Sequence, residues 1–243
     1  MFSDREVERY ARHLVLREIG GPGQQKLKAA RVLVAGAGGI GGPAALYLAA
    51  AGVGRIGIVD DDIVSLSNLQ RQIQFTESDL GRAKVKAARE RLVALNSDVE
   101  IDAIAQHIDA DNARALVRGW DVVIDGTDSF ETRALIGDAC VTEDAVLIAA
   151  AVGRWEVQVA VLRGRPCWRC FAPEIPPDAE TCAAVGVVGA LTGVAGSLAA
   201  LAAIKTITGA GEDPTGDLLI FDALEWRSRR SKIGADPICR TCG

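Results

Sequence analysis

Short apolar stretches alternate with amphipathic ones along most of the first 153 residues. Continuous apolar runs predict buried strands at "RVLVAG", "GRIGIVD", "DVVIDG" and "AVLIAAAV", and "VEIDAIAQHI" predicts one more. Helical periodicity marks "LGRAKVKAARERLVALN" and two segments near 110–118 and 130–141. Strands that alternate with helices are typical of a doubly wound, mostly parallel α/β sheet.

The pattern changes at both ends of this alternation. Residues 4–18 suit an N-terminal helix, which the glycine-proline run at 20–23 breaks. Further along, "VQVAVL" predicts an added antiparallel strand, followed by a proline-rich loop, an uncharged helix and the strand "DLLIFD". We therefore expect one domain in three parts: a helical arm (1–30), a core (31–153) and a C-terminal part (154–243).

Composition and charge narrow the class of protein. With 243 residues the chain can bury a large core without crosslinks, and its net charge of −5 argues against a nucleic-acid partner. The uncharged stretch 182–204 is long enough to span a membrane, but Ala, Gly and Val drive insertion weakly, so we expect a buried helix. The charged N-terminus lacks the apolar segment of a signal peptide, which predicts a cytoplasmic protein.

A glycine-rich turn directly follows the first predicted strand of the core. In "GAGGIG", Gly36, Gly38 and Gly41 fit G-x-G-x-x-G, which brings backbone N–H groups close to phosphates at a helix N-terminus. Asp60 ends the second strand, at about the spacing expected of a carboxylate that binds ribose hydroxyls. The motif predicts a nucleotide site but does not distinguish NAD from ATP.

The residues after the second strand favour a triphosphate. An NAD-dependent oxidoreductase is the alternative, but the chain has only two Tyr and two His, and none assembles into a hydride-transfer site. Asn68, Arg71 and Lys84 place polar and positive groups after the turn instead, as a leaving pyrophosphate requires. Taken alone, Lys84 is better explained as a solvated surface lysine, because lysines are mostly exposed.

Two carboxylates follow another predicted strand. Asp125 and Asp128 in "DGTDSFETR" come at the carboxyl end of that strand, where ligands bind in open α/β sheets. A carboxylate there suits Mg²⁺ that shares its coordination with phosphate oxygens. The alternative role for Asp128 is to cap the next helix, and both roles can hold together.

The cysteines fall into two C-x-x-C pairs and two single residues. The pairs together supply the four thiolates of a tetrahedral, structural Zn²⁺ site that would pin the C-terminal tail: Cys167, Cys170, Cys239 and Cys242. A redox pair is the alternative, but no thioredoxin-like context accompanies them. Cys140 suits core packing. Cys182 begins the uncharged helix, where a thiol is as consistent with a nucleophile as with packing.

Eight motifs occur together in order: "RYARHLVL", "GAGGIG", "SNLQRQ", "GRAKV", "DGTDS", "CWRC", "TCAAVGVVG" and "CRTC". With them the chain resembles the MoeB/ThiF/HesA family, bacterial relatives of ubiquitin-activating E1 enzymes, over essentially its whole length. The resemblance implies a Rossmann-like sheet with antiparallel C-terminal additions and a Cys₄ zinc clamp. It also implies a nucleotidyltransferase that uses ATP to adenylate the C-terminal glycine carboxylate of a small sulfur-carrier protein.

The resemblance further implies roles for single residues in the nucleotide site. Gly39 and the surrounding turn, with Ser67, contact ATP, and Asp60 holds the ribose. Asn68 and Arg71 reach the phosphates. Lys84 would stabilise the charge that builds during adenylyl transfer.

Other implied roles concern the metal, the neighbouring subunit and the carrier. Asp128 would position Mg²⁺, followed by Ser129 where the family commonly has Asn. Arg12 matches an arginine that enters the site from a second subunit, which implies a homodimer. Cys182 matches a position that in ThiF-like members bonds to the carrier's activated C-terminus. The carrier would be ThiS-like or MoaD-like and end in Gly-Gly, for thiamine or molybdopterin synthesis, and 154–243 would bind it.

Overall fold

A computed structural model describes residues 2–174 and 186–243. Its centre is an eight-stranded sheet in the order β3-β2-β1-β4-β5-β6-β7-β8. The strands are β1 (Arg31–Ala35), β2 (Arg55–Val59), β3 (Glu100–Ile104), β4 (Val122–Asp125), β5 (Val146–Gly153), β6 (Glu156–Leu162), β7 (Asp217–Asp222) and β8 (Arg227–Lys232). The first five are parallel and the last three antiparallel, as predicted, so the mixed α/β class is confirmed.

Helices cover both faces of the sheet and enclose two apolar cores. They are α1 (Asp4–Arg9), α2 (Ala11–Leu14), α3 (Gly20–Ala29), α4 (Gly41–Ala51), α5 (Lys84–Leu95), α6 (Ala113–Val117), α7 (Phe130–Thr142), α8 (Trp168–Phe171) and α9 (Gly189–Thr208). Helices α3, α4, α5 and α9 contribute to one core. The core on the opposite face takes residues from α6, α7 and α8. Burial on both faces explains why the parallel strands are continuously apolar.

The order in which strands are added to the sheet reverses at β1, with β2 and β3 on one side and β4 and β5 on the other. Strand β1 pairs with β2 on one side and β4 on the other, and all three are parallel. The crossovers on the two sides therefore leave on opposite faces, which opens a crevice beyond the carboxyl ends of β1 and β4. The glycine turn, Asp60 and Asp128 all follow strands that end at this edge.

The uncharged segment is helical from Gly189, and its small residues serve close packing. Helix α9 is long and apolar enough to cross a membrane by length and composition alone. One face of it is buried, however, and a side chain at Gly196 would overlap the carbonyl oxygen of Ile40 in the glycine turn. Such contact between backbones needs glycine, so the composition of α9 reflects its place in the core.

The N-terminal arm differs from the prediction. The run at 20–23 was expected to break a helix, but it forms the first turn of α3, and the expected helix over 4–18 is two short helices, α1 and α2. Pro22 is tolerated because the first backbone N–H groups of a helix have no partner within it. Tyr10 is buried, whereas Val15 is 77% exposed.

Strand β8 was not predicted. Its sequence, "RSRRSK", shows no apolar alternation because every residue in it is exposed at the sheet edge. Arg230 and Lys232 each lie 2.6 Å from a carboxylate oxygen of Asp217 on the neighbouring strand. Charged side chains on an edge strand also oppose unwanted pairing with other chains.

Candidate active site

A cavity occupies the crevice at the switch point of the sheet. Its walls are the glycine turn, the carboxyl ends of β2 and β4, and the start of α5. The residues lining it include Gly36, Gly38, Gly39, Asp60, Asp62, Arg71, Gln72, Lys84, Gln106, His107, Thr127, Asp128, Ser129, Thr132, Arg133 and Thr192. Eight of the eleven residues predicted to contact the nucleotide are thereby brought together.

The glycine turn is shaped by contacts that no side chain would fit. Gly36 has a φ of +87°, which favours glycine. A Cβ at Gly41 would overlap the carbonyl oxygen of Gly36, and one at Gly39 would lie 2.8 Å from the Thr192 hydroxyl. The turn can therefore pass close to β4 and α9, and it leaves the N-terminus of α4 facing the cavity. This is the geometry that binds phosphate.

Asp60 ends β2 with its carboxylate held by backbone amides. One oxygen accepts from Ala37 N at 2.7 Å and the other from Asp62 N at 2.8 Å. Burial raises the pKa of Asp60, while the nearby Lys84 and the two backbone hydrogen bonds oppose that rise. The carboxylate is thus fixed at the cavity wall, where it can accept hydrogen bonds from a ligand hydroxyl.

Lys84 is buried, so the solvated surface alternative is wrong. Its side chain is only 5% exposed, and Nζ lies 2.7 Å from Oδ2 of Asp62, which is 70% exposed. The ammonium group faces the cavity and is neutralised by a carboxylate that can turn into solvent. Arg71 adds a second positive charge and donates to the carbonyl oxygen of Ser67 at 3.2 Å. The two cations suit an anionic ligand of several charges.

Asp125 at the end of β4 and Asp128 just after it have different roles. Asp125 is buried and accepts from the backbone N–H and hydroxyl of Thr127, at 2.9 and 2.7 Å, so it shapes the loop. Asp128 is exposed and lines the cavity. The N-cap of α7 is Ser129, which accepts from Thr132 N at 3.3 Å. Asp128 is therefore not needed as the helix cap, and its carboxylate is available to bind a metal ion.

Some predicted residues lie outside the cavity wall. Ser67 and Asn68 form a short 3₁₀ turn, in which the Asn68 side chain accepts from Ser65 N at 3.3 Å. Gly41 lies in the first turn of α4, and Arg12 is exposed on the arm. Cys182 lies outside the described residues. The predicted roles of these five residues stay predictions.

Sequence reasoning missed several residues that line the cavity. Gln72 follows Arg71 within the "SNLQRQ" motif, so its position was a usable signal. Thr192 and Arg133 gave no such sequence signal, because they lie within helices that contact the crevice only through tertiary packing. Arg133 is buried and donates to the carbonyl oxygens of Thr127 and Ala150, which fixes the loop beside Asp128.

The four paired cysteines lie together in one cluster. Their sulfur atoms all lie within 4.8 Å of one another, with Cys167 Sγ 3.6 Å from Cys239 Sγ and Cys170 Sγ 3.4 Å from Cys242 Sγ. Four sulfurs around a tetrahedral ion with bonds of about 2.3 Å would be roughly 3.8 Å apart. The donor set and spacing therefore fit a metal ion of the zinc type.

The ionisation of these thiols also suits a cation. Burial raises the pKa of Cys167, so this thiol needs a positive charge nearby to ionise. Burial acts in the same direction on Cys239, but hydrogen bonds from the backbone N–H groups of Thr241 and Cys242 lower the pKa of Cys239 to about 7. Cys239 therefore forms a thiolate, the form that binds a metal, more readily than Cys167 does.

The cysteine cluster is attached to the helix that begins at the active site. Asp138 on α7 accepts from Arg169 in the first C-x-x-C pair at 2.9 Å and from Thr241 in the second at 2.8 Å. A side chain at Gly137 would overlap Trp168, so the first pair packs directly on α7. Since Ser129 caps the other end of α7, the cluster and the loop of Asp128 share one rigid element.

The fold and this site define an α/β nucleotide-binding protein with an attached cysteine cluster. Residues 10–241 match the ThiF family, and the chain belongs to that family. It is 41% identical to the "Sulfur carrier protein adenylyltransferase" of Thermus thermophilus, over 100% of this chain and 93% of that protein. It is 39% identical to the "SAMP-activating enzyme E1" of Haloferax volcanii, over 98% and 89% of the two chains.

Two further comparisons extend this relationship. The bovine "Adenylyltransferase and sulfurtransferase MOCS3" is 48% identical over 99% of this chain, which spans 54% of that protein. The crystal structure of E. coli MccB with ATP superimposes with a TM-score of 0.83 at 25% identity, covering 97% of this chain and 74% of the other. The predicted class, a nucleotidyltransferase rather than an NAD-dependent oxidoreductase, is confirmed by these adenylyltransferase relatives.

Proposed function

We propose that this protein uses ATP to adenylate the C-terminal glycine carboxylate of a ubiquitin-like sulfur-carrier protein. The observation that carries the proposal is the combination of buried Lys84 and Arg71 with the exposed carboxylate of Asp128 around one glycine turn of the kind that binds phosphate. Hydride transfer requires none of these charges. The names of the relatives from Thermus thermophilus and Haloferax volcanii support a carrier protein as the second substrate.

The chemistry requires positioning and charge stabilisation. An oxygen of the carrier's carboxylate attacks the α-phosphorus of ATP, the bond to the β-phosphate oxygen breaks, and pyrophosphate leaves. The attacking group is already ionised, so no general base is needed. Lys84 and Arg71 would stabilise the charge on the phosphates, and Asp60 would hold the ribose. Asp128 would hold Mg²⁺, which neutralises phosphate charge when bound.

A second cavity supplies a route for the carrier's tail. Its volume is 410 Å³, and it shares Asp128, Arg133 and Val152 with the nucleotide cavity. Part of its floor is Ala149 and Ala151 of β5. A Gly-Gly terminus has no side chains, so it can lie flat on such a floor and reach the α-phosphate. The small residues of β5 thus support a carrier that ends in Gly-Gly.

Carrier-dependent ATP–pyrophosphate exchange tests the proposal. Exchange should require both the enzyme and a ThiS-like or MoaD-like carrier, and it should disappear when the carrier's last glycine is removed. Testing both carriers in parallel would identify the pathway, which the motifs leave open between thiamine and molybdopterin synthesis. Exchange with neither carrier, or exchange independent of the terminal glycine, would contradict the proposal.

The proposal also covers the cysteine cluster, the cellular compartment and Cys182. The four clustered cysteines would hold a structural Zn²⁺, because a closed Cys₄ site leaves no open position for catalysis. We place the protein in the cytoplasm, where thiols stay reduced and available to a metal. A covalent link between Cys182 and the carrier stays a prediction.

We also propose a homodimer in which the helical arm reaches the neighbouring subunit's site. Arg12 is exposed and lies outside its own chain's cavity wall. Close to it in the sequence, Val15 is 77% and Leu16 46% exposed. These residues can pack against a second copy of the chain and bring Arg12 to the partner's phosphates.

Mixing two inactive variants tests whether Arg12 acts across subunits. Arg12→Ala and Lys84→Ala should each lose most exchange activity. If the two are co-refolded, the mixed dimer has one site with neither change, so roughly a quarter of wild-type activity should return at equal amounts. Co-purification of the untagged variant with the other variant carrying an affinity tag is the control for subunit exchange. If the mixture stays inactive while exchange occurs, Arg12 acts within its own chain.

A further inference from the structure

Gln72 carries a buried side-chain amide that has no hydrogen-bond partner among the described residues. The residue is 4% exposed, and its Oε1 is fully buried without a donor. Within residues 2–174 and 186–243, its Nε2 makes no hydrogen bond either. The side chain lines the nucleotide cavity and faces the glycine turn, where a Cβ added to Gly38 would lie 3.5 Å from Nε2.

Gln74, two residues further on, shows what a satisfied amide in this segment does. It is 5% exposed, and its Nε2 donates to the carbonyl oxygen of Ala37 at 2.6 Å. The same side chain packs against Gly42, where a Cβ would lie 2.7 Å from it. Gln74 therefore stabilises the glycine turn, whereas the side chain of the equally buried Gln72 makes no hydrogen bond within the described part of the chain.

The backbone holds Gln72 in this position. Its N–H donates to the carbonyl oxygen of Asn68 at 2.9 Å, and its own carbonyl accepts from Phe75 at 3.0 Å. The side chain therefore leaves a fixed turn and reaches the cavity. Among the described residues Nε2 has no acceptor, and it faces the glycine turn at the cavity wall, so a ligand group bound at this turn can accept a hydrogen bond from it.

The position of Gln72 beside the glycine turn indicates which group of the nucleotide its side chain contacts. The nucleotide group that lies against a glycine turn at a helix N-terminus is a phosphate. Phosphate oxygens accept hydrogen bonds, and an amide NH₂ donates two. The terminal torsion of Gln is broad, so the amide can present its nitrogen to the cavity. The neighbouring Thr192 hydroxyl already contacts the carbonyl oxygens of Gly189 and Arg71, at 2.8 and 3.2 Å, and is less free to serve.

We propose that Gln72 is a further substrate-binding residue, whose side-chain amide donates to a phosphate oxygen of the bound nucleoside triphosphate. The inference rests on the proposed function, since it assigns a residue within the same site. It has a signature that a structural glutamine cannot produce: removing the amide should weaken ATP binding without lowering the stability of the free protein.

The test compares Gln72→Met with the matched control Gln74→Met, because methionine keeps the length of glutamine and removes only the amide. Without nucleotide, the Tm of Gln72→Met should equal that of wild type or exceed it by up to about 5 °C, while Gln74→Met should lose about 2–6 °C. By calorimetry, Gln72→Met should bind ATP at least about 10-fold more weakly, and Gln74→Met within about 3-fold of wild type.

Two further measurements locate the contact. Gln72→Glu keeps the shape but adds negative charge, so its Kd for ATP should rise about 100-fold. Binding of adenosine, which has no phosphate, should be unchanged in Gln72→Met. An unchanged Kd for ATP, an equal loss with adenosine, or a Tm loss like that of Gln74→Met would each overturn the role of Gln72. If wild type itself does not bind ATP, the proposed function fails instead.

Discussion

Replacing Lys84 with methionine is expected to lower carrier-dependent ATP–pyrophosphate exchange by about 10³-fold, since one group aimed at developing phosphate charge contributes about that much. Lys84 is the most buried cation in the cavity wall, with a side chain 5% exposed. Low exposure strengthens its attraction to phosphate, because little water screens the charge. Exchange measured at saturating ATP and carrier isolates the effect on catalysis.

The same substitution should leave the fold intact. Among residues 2–174 and 186–243, Lys84 forms an ion pair only with Asp62, whose side chain is 70% exposed and can be solvated when the lysine is gone. We therefore expect a Tm close to that of wild type. Lys86→Met, two residues along the same helix and exposed, is the control and should retain full activity. Equal activity in the two variants would show that Lys84 does not act on the phosphates.

Removing the metal from the cysteine cluster should have the largest effect on stability. Cys239→Ser, or chelation of wild type, is expected to lower the Tm by about 10–20 °C, because a structural zinc site contributes directly to folding free energy. Cys239 lies on the C-terminal tail, and the cluster joins this tail to α7 and to the loop after β6. Differential scanning calorimetry, with zinc content from elemental analysis, measures both changes.

Cys140→Ala is the control for the cluster. Cys140 is buried on α7 and outside the cluster, and burial raises its pKa, so it stays a neutral thiol that only packs. Its replacement should cost little stability and leave the zinc content at one ion per chain. If Cys239→Ser keeps both its zinc and its Tm, the cluster is not a structural metal site.

Much of the fold could be read from the sequence because most strands here are buried on both faces. Such strands are continuously apolar, and "RVLVAG" and "DVVIDG" stand out from the amphipathic helices between them. The misread elements lie at the surface. Strand β8 is exposed along its length and leaves no apolar alternation. The glycine-proline run at 20–23 was misread because these residues are also tolerated in the first turn of a helix.

The residues of the candidate site also fall into those that the sequence predicts and those that it does not. Gly36, Gly41 and Asp60 could be found from the sequence because their spacing is set by one strand–turn–helix–strand unit. Thr192 could not be assigned, because it reaches the cavity from a helix about 120 residues after the "SNLQRQ" segment, a separation that only packing closes. The exposed carboxylate of Asp128 could not be distinguished from a helix cap until Ser129 proved to occupy that place.

Residue types at short spacing and the order of motifs were enough to predict the class of fold, the glycine turn, the pairing of the four cysteines and the family. Which charges face the cavity became clear only from the packing of distant elements. The tertiary structure buried Lys84 beside Asp62, freed Asp128, left the Gln72 amide without a partner among the described residues and joined the cysteine cluster to α7. The physical reason is that ionisation, burial and hydrogen-bond satisfaction depend on all the elements packed around a side chain, and these come from distant parts of the chain.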